Sequence, residues 1–268
     1  MILSRAKRWV GDVMRPVLDG KVVLVTGGAG GIGVAACQVL ADAGAYLAIS
    51  DIAEEAGQAV ADSLSGQGRN AVFIAADLSS ESAIENLIAQ TVAHFGRLDG
   101  ALNNAGKEQH NLALDEITLA QWDSVMRIDL TAVFLCIKYQ VRAMLANGGG
   151  SIVNMASGLG QIAIPNAAEY VAAKHGVIGI TRAAAADYGA RNIRVNALLP
   201  GIVRTPMIDR LSDDPGFSHL IEKLKMRHLM QRFAEPHEIG EAAKWLLSDG
   251  ASFVNGTALA VDGGALAN

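Results

Sequence analysis

Hydrophobic positions along the chain gather in short dense runs, separated by longer stretches where they recur three and four residues apart. The short runs are Lys21–Thr26, Tyr46–Ser50, Ala71–Ala76, Leu98–Asn103, Ser151–Met155, Ile193–Leu198 and Ala258–Val261. Each reads as a strand, and the β-branched run of Lys21–Thr26 as a buried one. The longer stretches are Gly30–Ala43, Glu54–Leu64, Glu81–Phe95, Gln121–Ala146 and Glu169–Tyr188. They read as helices, the long one stopped by Gly148-Gly149-Gly150. Strand and helix alternate from residue 21 onward. That order favours one α/β domain, a doubly wound parallel sheet with helices on both faces.

Two segments fall outside the alternation. Residues 204–235 are punctuated by Pro206, Pro215 and Gly216, with Pro236 just after them. An irregular insertion near the ligand edge of such a sheet is expected to be a substrate lid. Residues 1–20 form an extension in which Ile2, Leu3, Ala6, Trp9, Val10, Val13, Met14 and Val17 recur at helical spacing. A helix docked on the domain or on a partner subunit is preferred to a membrane-surface anchor, because Asp12 and Asp19 dilute the basic cluster.

Composition narrows the class of function. The 268 residues are 51% apolar, and 45 alanines carry much of that figure. So apolar a chain can bury a core and is not disordered. The 29 glycines follow no three-residue period, which excludes collagen. A net charge of −5 lacks the basic excess of a nucleic-acid binder. Cys37 and Cys136 sit in apolar helical patterns and read as buried free thiols, neither a disulfide scaffold nor a zinc site. No apolar run reaches the length of a membrane span; Leu130–Ile137 is typical of the longest. Arg5, Lys7, Arg8, Asp12 and Arg15 leave no room for a signal-peptide core, so a cytoplasmic protein is expected. No metal site is expected either. His237-Glu238-Ile239-Gly240-Glu241 lacks the second histidine of a zinc-protease helix, and all six histidines read as surface residues.

The first candidate chemistry lies between strand one and helix one, at Thr26-Gly27-Gly28-Ala29-Gly30-Gly31-Ile32-Gly33. Glycines let a backbone turn sharply and approach a pyrophosphate, and a helix N-terminus offers free N–H groups. Gly28-x-Gly30-x-x-Gly33 fits the dinucleotide fingerprint, and no Gly-Lys-Ser/Thr follows to make it a nucleoside-triphosphate loop. Asp51 closes the second strand. A carboxylate there can accept hydrogen bonds from the adenosine ribose and would repel a 2′-phosphate. No Lys or Arg lies in 28–32 or 52–57, so NAD is preferred over NADP. Helix capping is the alternative role of Asp51. Asp77 closes the third strand, where it can reach the adenine or simply cap a turn. Ile52 and Leu78 follow the two carboxylates and join the cofactor candidates.

The second candidate is Tyr170-Val171-Ala172-Ala173-Lys174, which puts a phenol and an ammonium on one helical face. A free tyrosine, with a pKa near ~10, is a poor base at neutral pH, and a nearby ammonium favours its phenolate. Ser157 lies just past strand five, where a hydroxyl can hold a substrate oxygen.

With these residues the chain resembles the short-chain dehydrogenase/reductase family. The matching motifs run along residues 21–264: the T-G-x-x-x-G-x-G turn, Asn103-Asn104-Ala105-Gly106, the Ser157…Tyr170-x-x-x-Lys174 set, Pro200-Gly201 and Asp262-Gly263-Gly264. The resemblance implies a Rossmann-type sheet of about seven strands. It implies Tyr170 as general acid/base, Lys174 on the nicotinamide ribose, and Ser157 orienting the substrate carbonyl. Asn104, Ala105 and Gly106 would line the cofactor site with Gly27, Gly31, Ile32 and Gly33. Pro200, Gly201, Val203 and Thr205 would flank the nicotinamide. The family usually carries an Asn in the long fourth helix, holding a water that links the Lys to solvent. Here Asp129 takes that place; it can accept the same bonds or attract Lys174. Dimers or tetramers are expected on the same ground.

The expected activity is hydride transfer between NAD(H) and a secondary alcohol or ketone. Leu159, Gln161, Met207, Gly158 and Leu211 join Ser157 and Tyr170 as pocket candidates, with the loop 107–111. Leu135 and Ala186 stand where carrier-protein reductases of the family often have Arg, which argues against a carrier-protein partner. A dinucleotide sensor or scaffold on the same fold is the alternative of another class. A nucleotide-sugar enzyme would need a longer C-terminal substrate region.

Overall fold

The computed structural model describes residues 16–204 and 218–267. Seven strands form one parallel sheet: β1 (Val22–Thr26), β2 (Tyr46–Ser50), β3 (Ala71–Phe73), β4 (Gly100–Asn103), β5 (Gly150–Met155), β6 (Ile193–Pro200) and β7 (Ala258–Val261). Their order across the sheet is β3-β2-β1-β4-β5-β6-β7. The strand order reverses direction between β1 and β4, the switch point beyond which sheets of this kind place a ligand crevice.

Strand alternation sends side chains to two separate cores. On one face Leu24, Ala101, Ile152 and Val195 meet α3 (Glu81–Phe95), α5 (Ala132–Ala146) and α6 (Ala168–Tyr188). On the other, Val23, Val25, Leu102, Val153 and Leu198 meet α1 (Gly31–Asp42), α2 (Glu54–Gly66) and α8 (Pro236–Leu247). Burial on both faces is why the strands read as unbroken apolar runs. Cys37 and Cys136 lie one in each core, and burial pushes both thiols up to about 12.

Beneath the ligand edge runs a buried polar chain. Asn103 Nδ2 donates to Gln140 Oε1 at 3.1 Å and to Asn154 Oδ1 at 2.8 Å. Gln140 Nε2 donates back to Asn103 Oδ1, and Asn154 Nδ2 donates to Thr181 Oγ1 at 2.9 Å. The chain ties β4, β5, α5 and α6 together, with no member left unpaired.

Three elements depart from the sequence reading. The expected third strand stops at Phe73 rather than Ala76, although Ile74 N–H still bonds the Ile49 carbonyl. The expected long helix is two helices. The first, α4 (Leu119–Met126), is started by a capping box between Thr118 and Gln121, and a π-turn at Arg127–Thr131 separates it from α5. Helix α8 was absent from the reading. It opens with Pro236 in its first turn and a reciprocal Glu235/Glu238 cap. Within the expected lid, α7 (Ser218–Lys225) is described and residues 205–217 are not; the N-terminal helical pattern falls almost wholly on residues 1–15, likewise outside the described residues.

Candidate active site

The glycine turn brings the backbones of β1 and β4 together. Gly27 has φ +65°, and a Cβ on it would lie 2.7 Å from Ala105 Cα. Thr26 Oγ1 accepts the N–H groups of Asn104 at 3.2 Å and Ala105 at 3.3 Å, and Asn104 Nδ2 donates to the Gly27 carbonyl. The first turn of α1, Gly31-Ile32-Gly33, has no side-chain cap and no acidic residue. An uncapped helix start beneath a glycine cradle is suited to a pyrophosphate. Asp51 stands over the same turn. Its Oδ2 accepts the Ala29 N–H and its Oδ1 the Ala53 N–H, both at 3.0 Å. It orders the turn and the approach to α2 while keeping lone pairs for a ribose. Ile52 beside it is 70% exposed, an open apolar face. Asp77 is exposed and bonds the Ser79 N–H and hydroxyl, which hold its carboxyl below the usual range; Leu78 packs on the core. These residues fit a dinucleotide.

The Tyr170-x-x-x-Lys174 pair lies at the start of α6. Lys174 Nζ is 5.2 Å from the Tyr170 ring centroid and donates to the Met155 carbonyl at 3.3 Å. It also meets Asp129 Oδ1 at 2.9 Å, an ion pair with both side chains buried. The contact with Asp129 is direct, with no water between, because the π-turn carries the carboxylate to the ammonium. Gly106 makes the room: a Cβ there would lie 2.7 Å from Asp129 Oδ1 and 3.5 Å from Lys174 Nζ. Ser157, just past β5, accepts the Leu159 N–H at 3.1 Å, so its own O–H is left to donate.

Other candidates separate. Leu159 is half-buried and Gln161 exposed. Gly158 lies by the Pro200 carbonyl and Leu266. Pro200 ends β6 and Gly201 follows, while Val203 is buried and pairs with Ala234. Thr205, Met207 and Leu211 lie outside the described residues.

The surface reading of the histidines is corrected at His228. It is buried against Gly201, where a Cβ would lie 2.7 Å from its Nε2, and that Nε2 accepts the Ile202 N–H at 3.1 Å. His110 is half-buried and lies 3.1 Å through Nδ1 from Glu169 Oε1, which also accepts the His110 N–H at 2.8 Å. In the sequence His110 entered only as part of the loop 107–111, and Glu169 was not singled out. The one available signal was a carboxylate at a buried helical position directly before Tyr170.

A family model described as Enoyl-(Acyl carrier protein) reductase matches residues 27–265. The 2,5-dichloro-2,5-cyclohexadiene-1,4-diol dehydrogenase of Sphingobium indicum is 49% identical over 249 residues, 92% of this chain and 97% of that protein. The cis-4-hydroxycyclohexanecarboxylate dehydrogenase of Sinomonas cyclohexanicum is 42% identical over 244 residues, covering 91% and 96% of the two chains. Among solved structures, levodione reductase superposes with a TM-score of 0.88 at 37% identity, over 93% of this chain and 98% of that one. A gluconate 5-dehydrogenase from Burkholderia cenocepacia J2315, in complex with NADP and tartrate, gives 0.87 at 33% identity, over 95% and 98%.

Proposed function

Because the chain belongs to the short-chain dehydrogenase/reductase family, we propose that it transfers a hydride between NAD and a secondary alcohol, or the matching ketone, on a six-membered carbon ring. The observation that carries this reading is the buried Lys174 beside Tyr170, one strand away from an uncapped glycine turn. The ring is favoured because both relatives named above act on cyclohexane or cyclohexadiene alcohols. NAD is favoured over the NADP of the gluconate enzyme by Asp51, whose charge stands against the turn.

NAD, when bound, supplies the hydride acceptor. Tyr170 takes the alcohol proton during oxidation and returns it during reduction. The ammonium of Lys174 stabilises negative charge on the phenol oxygen as that proton moves. Ser157 donates to the substrate oxygen and fixes its orientation. A homo-oligomer, dimer or tetramer, belongs to the same proposal and is supported by the exposed apolar side chains of Leu119 and Phe134. A pure sensor would have no use for this proton-handling set.

Steady-state oxidation of a panel of ring alcohols tests the chemistry. Tyr170→Phe should lower kcat by ~10²–10⁴-fold, the usual worth of a general acid–base, with NAD affinity nearly intact. Wild-type turnover in that variant would remove Tyr170 from the reaction. In the unaltered enzyme kcat/KM with NAD should exceed that with NADP, and Asp51→Ala combined with Ile52→Arg should narrow the gap. Equal rates with both cofactors would overturn the role of Asp51.

A further inference from the structure

We propose that residues 107–110 form a substrate-positioning strap, latched at each end by a buried carboxylate, and that His110 and Glu169 are positioning residues for the alcohol. The proposal rests on the oxidoreductase reading above. At one end Asp129 accepts the Lys107 N–H, at 3.1 Å through Oδ2 and 3.3 Å through Oδ1. At the other, Glu169 Oε1 accepts the His110 N–H and approaches the His110 imidazole. Asp129 is paired with Lys174, and Glu169 is the residue before Tyr170. Both latches are therefore anchored to the helix that carries the chemistry.

The energetics point beyond stability. Asp129 and Glu169 are both fully buried, and an uncompensated buried carboxylate is strongly disfavoured. Asp129 has its ammonium. Glu169 has one half-buried imidazole, and among the described residues its Oε2 has no hydrogen-bond partner. Burial pushes the Glu169 carboxyl up, but bonds from the His110 backbone, its own N–H and the His110 ring outweigh it and hold it below the usual range. A buried polar atom left unpaired calls for a reason. The strap supplies one. It begins directly after Gly106, where a Cβ would lie 3.5 Å from the Lys174 ammonium, and ends bonded to the residue before Tyr170, so it forms a wall held between the two site residues. Pinning both ends fixes that wall relative to the phenol, and a wall displaced by even an ångström loosens a bound alcohol.

The test combines kinetics with backbone amide exchange in the cofactor-free protein. His110→Ala should raise KM for a ring alcohol about ten-fold, the effect of losing one hydrogen bond to a charged group. Its kcat and its KM for NAD should stay within about two-fold, the pattern of a lost binding contact. His110→Asn places an amide nitrogen where Nδ1 stood and should restore most of the KM. The amides of Lys107 and His110 should exchange faster in His110→Ala than in the wild type. Unchanged amide exchange would show that the imidazole plays no part in holding the strap. An unchanged alcohol KM, an equal rise in the KM for NAD, or failure of Asn to rescue would each remove the positioning role. If the wild type oxidises no alcohol, the oxidoreductase reading and the positioning role fall together; an active enzyme with unchanged KM in His110→Ala sinks the strap alone.

Discussion

Asp129 and Lys174 show what one side chain does to its neighbour in a dry site. The carboxylate stabilises the ammonium, which lies 5.2 Å from the Tyr170 ring centroid. Asp129→Asn keeps the side chain's shape and removes its charge, so the ammonium loses its ion-pair partner. The kcat for alcohol oxidation should then change while affinity for the dinucleotide stays nearly intact; an unchanged kcat would discard the coupling. Asp129→Ala leaves the buried ammonium, among the described residues, with the Met155 carbonyl alone, and losing one partner of a buried pair costs about 3–5 kcal/mol. Thermal unfolding should register that loss. The sequence could place Asp129 in the right stretch of chain, though as part of one long helix, and leave open an attraction to Lys174. It could not show the contact, because nothing in Arg127–Thr131 announces the π-turn that turns the carboxylate inward. Glu169 and His110 were hidden for a related reason. They stand 59 residues apart, and each alone looks like a surface group.

At the scale of elements, the strands were legible because burial on both faces leaves their apolar runs uninterrupted. Helix α8 was not read, although Pro236 at its start, Glu235 and Glu238 three apart, and Ile239, Ala243 and Leu246 at helical spacing were all visible. Those signals mark an ordinary amphipathic helix with a capped start. That helix lies close on α1, and Gly240 is the reason: a Cβ there would stand 3.1 Å from Ala36 Cα and 3.3 Å from Val39 Cγ2. Gly240→Leu must push the helices apart. Overpacking of this kind costs about 1–3 kcal/mol. The melting temperature should fall, and NAD affinity with it, since α1 carries the glycine turn. An unchanged melting temperature would mean that the two helices are not in firm contact.

For the whole molecule, acid is the informative stress. Arg232, bonded to Glu238 and reinforced by the Glu235 N–H, lowers the Glu238 carboxyl from 4.5 to about 2. Asp77 and Glu169 are lowered too. Depressed carboxylates stabilise the fold above their unfolded values, and that contribution drains away as pH falls through the folded ones. Denaturant unfolding should therefore give a stability nearly flat, for these groups, from pH 7 to about 5 and falling between about 4.5 and 2. Glu238→Gln should lower the plateau and flatten the fall; a slope identical to wild type would remove that carboxylate from the account. The buried chain of Asn103, Gln140, Asn154 and Thr181 carries a different consequence, for descent rather than for pH. Changing one member strands its partners without water, at about 1–3 kcal/mol for each orphaned group, whereas four apolar replacements of matching shape strand none. Any lineage that exchanges this chain for hydrocarbon must cross intermediates less stable than either end, so the four positions should be inherited as a block.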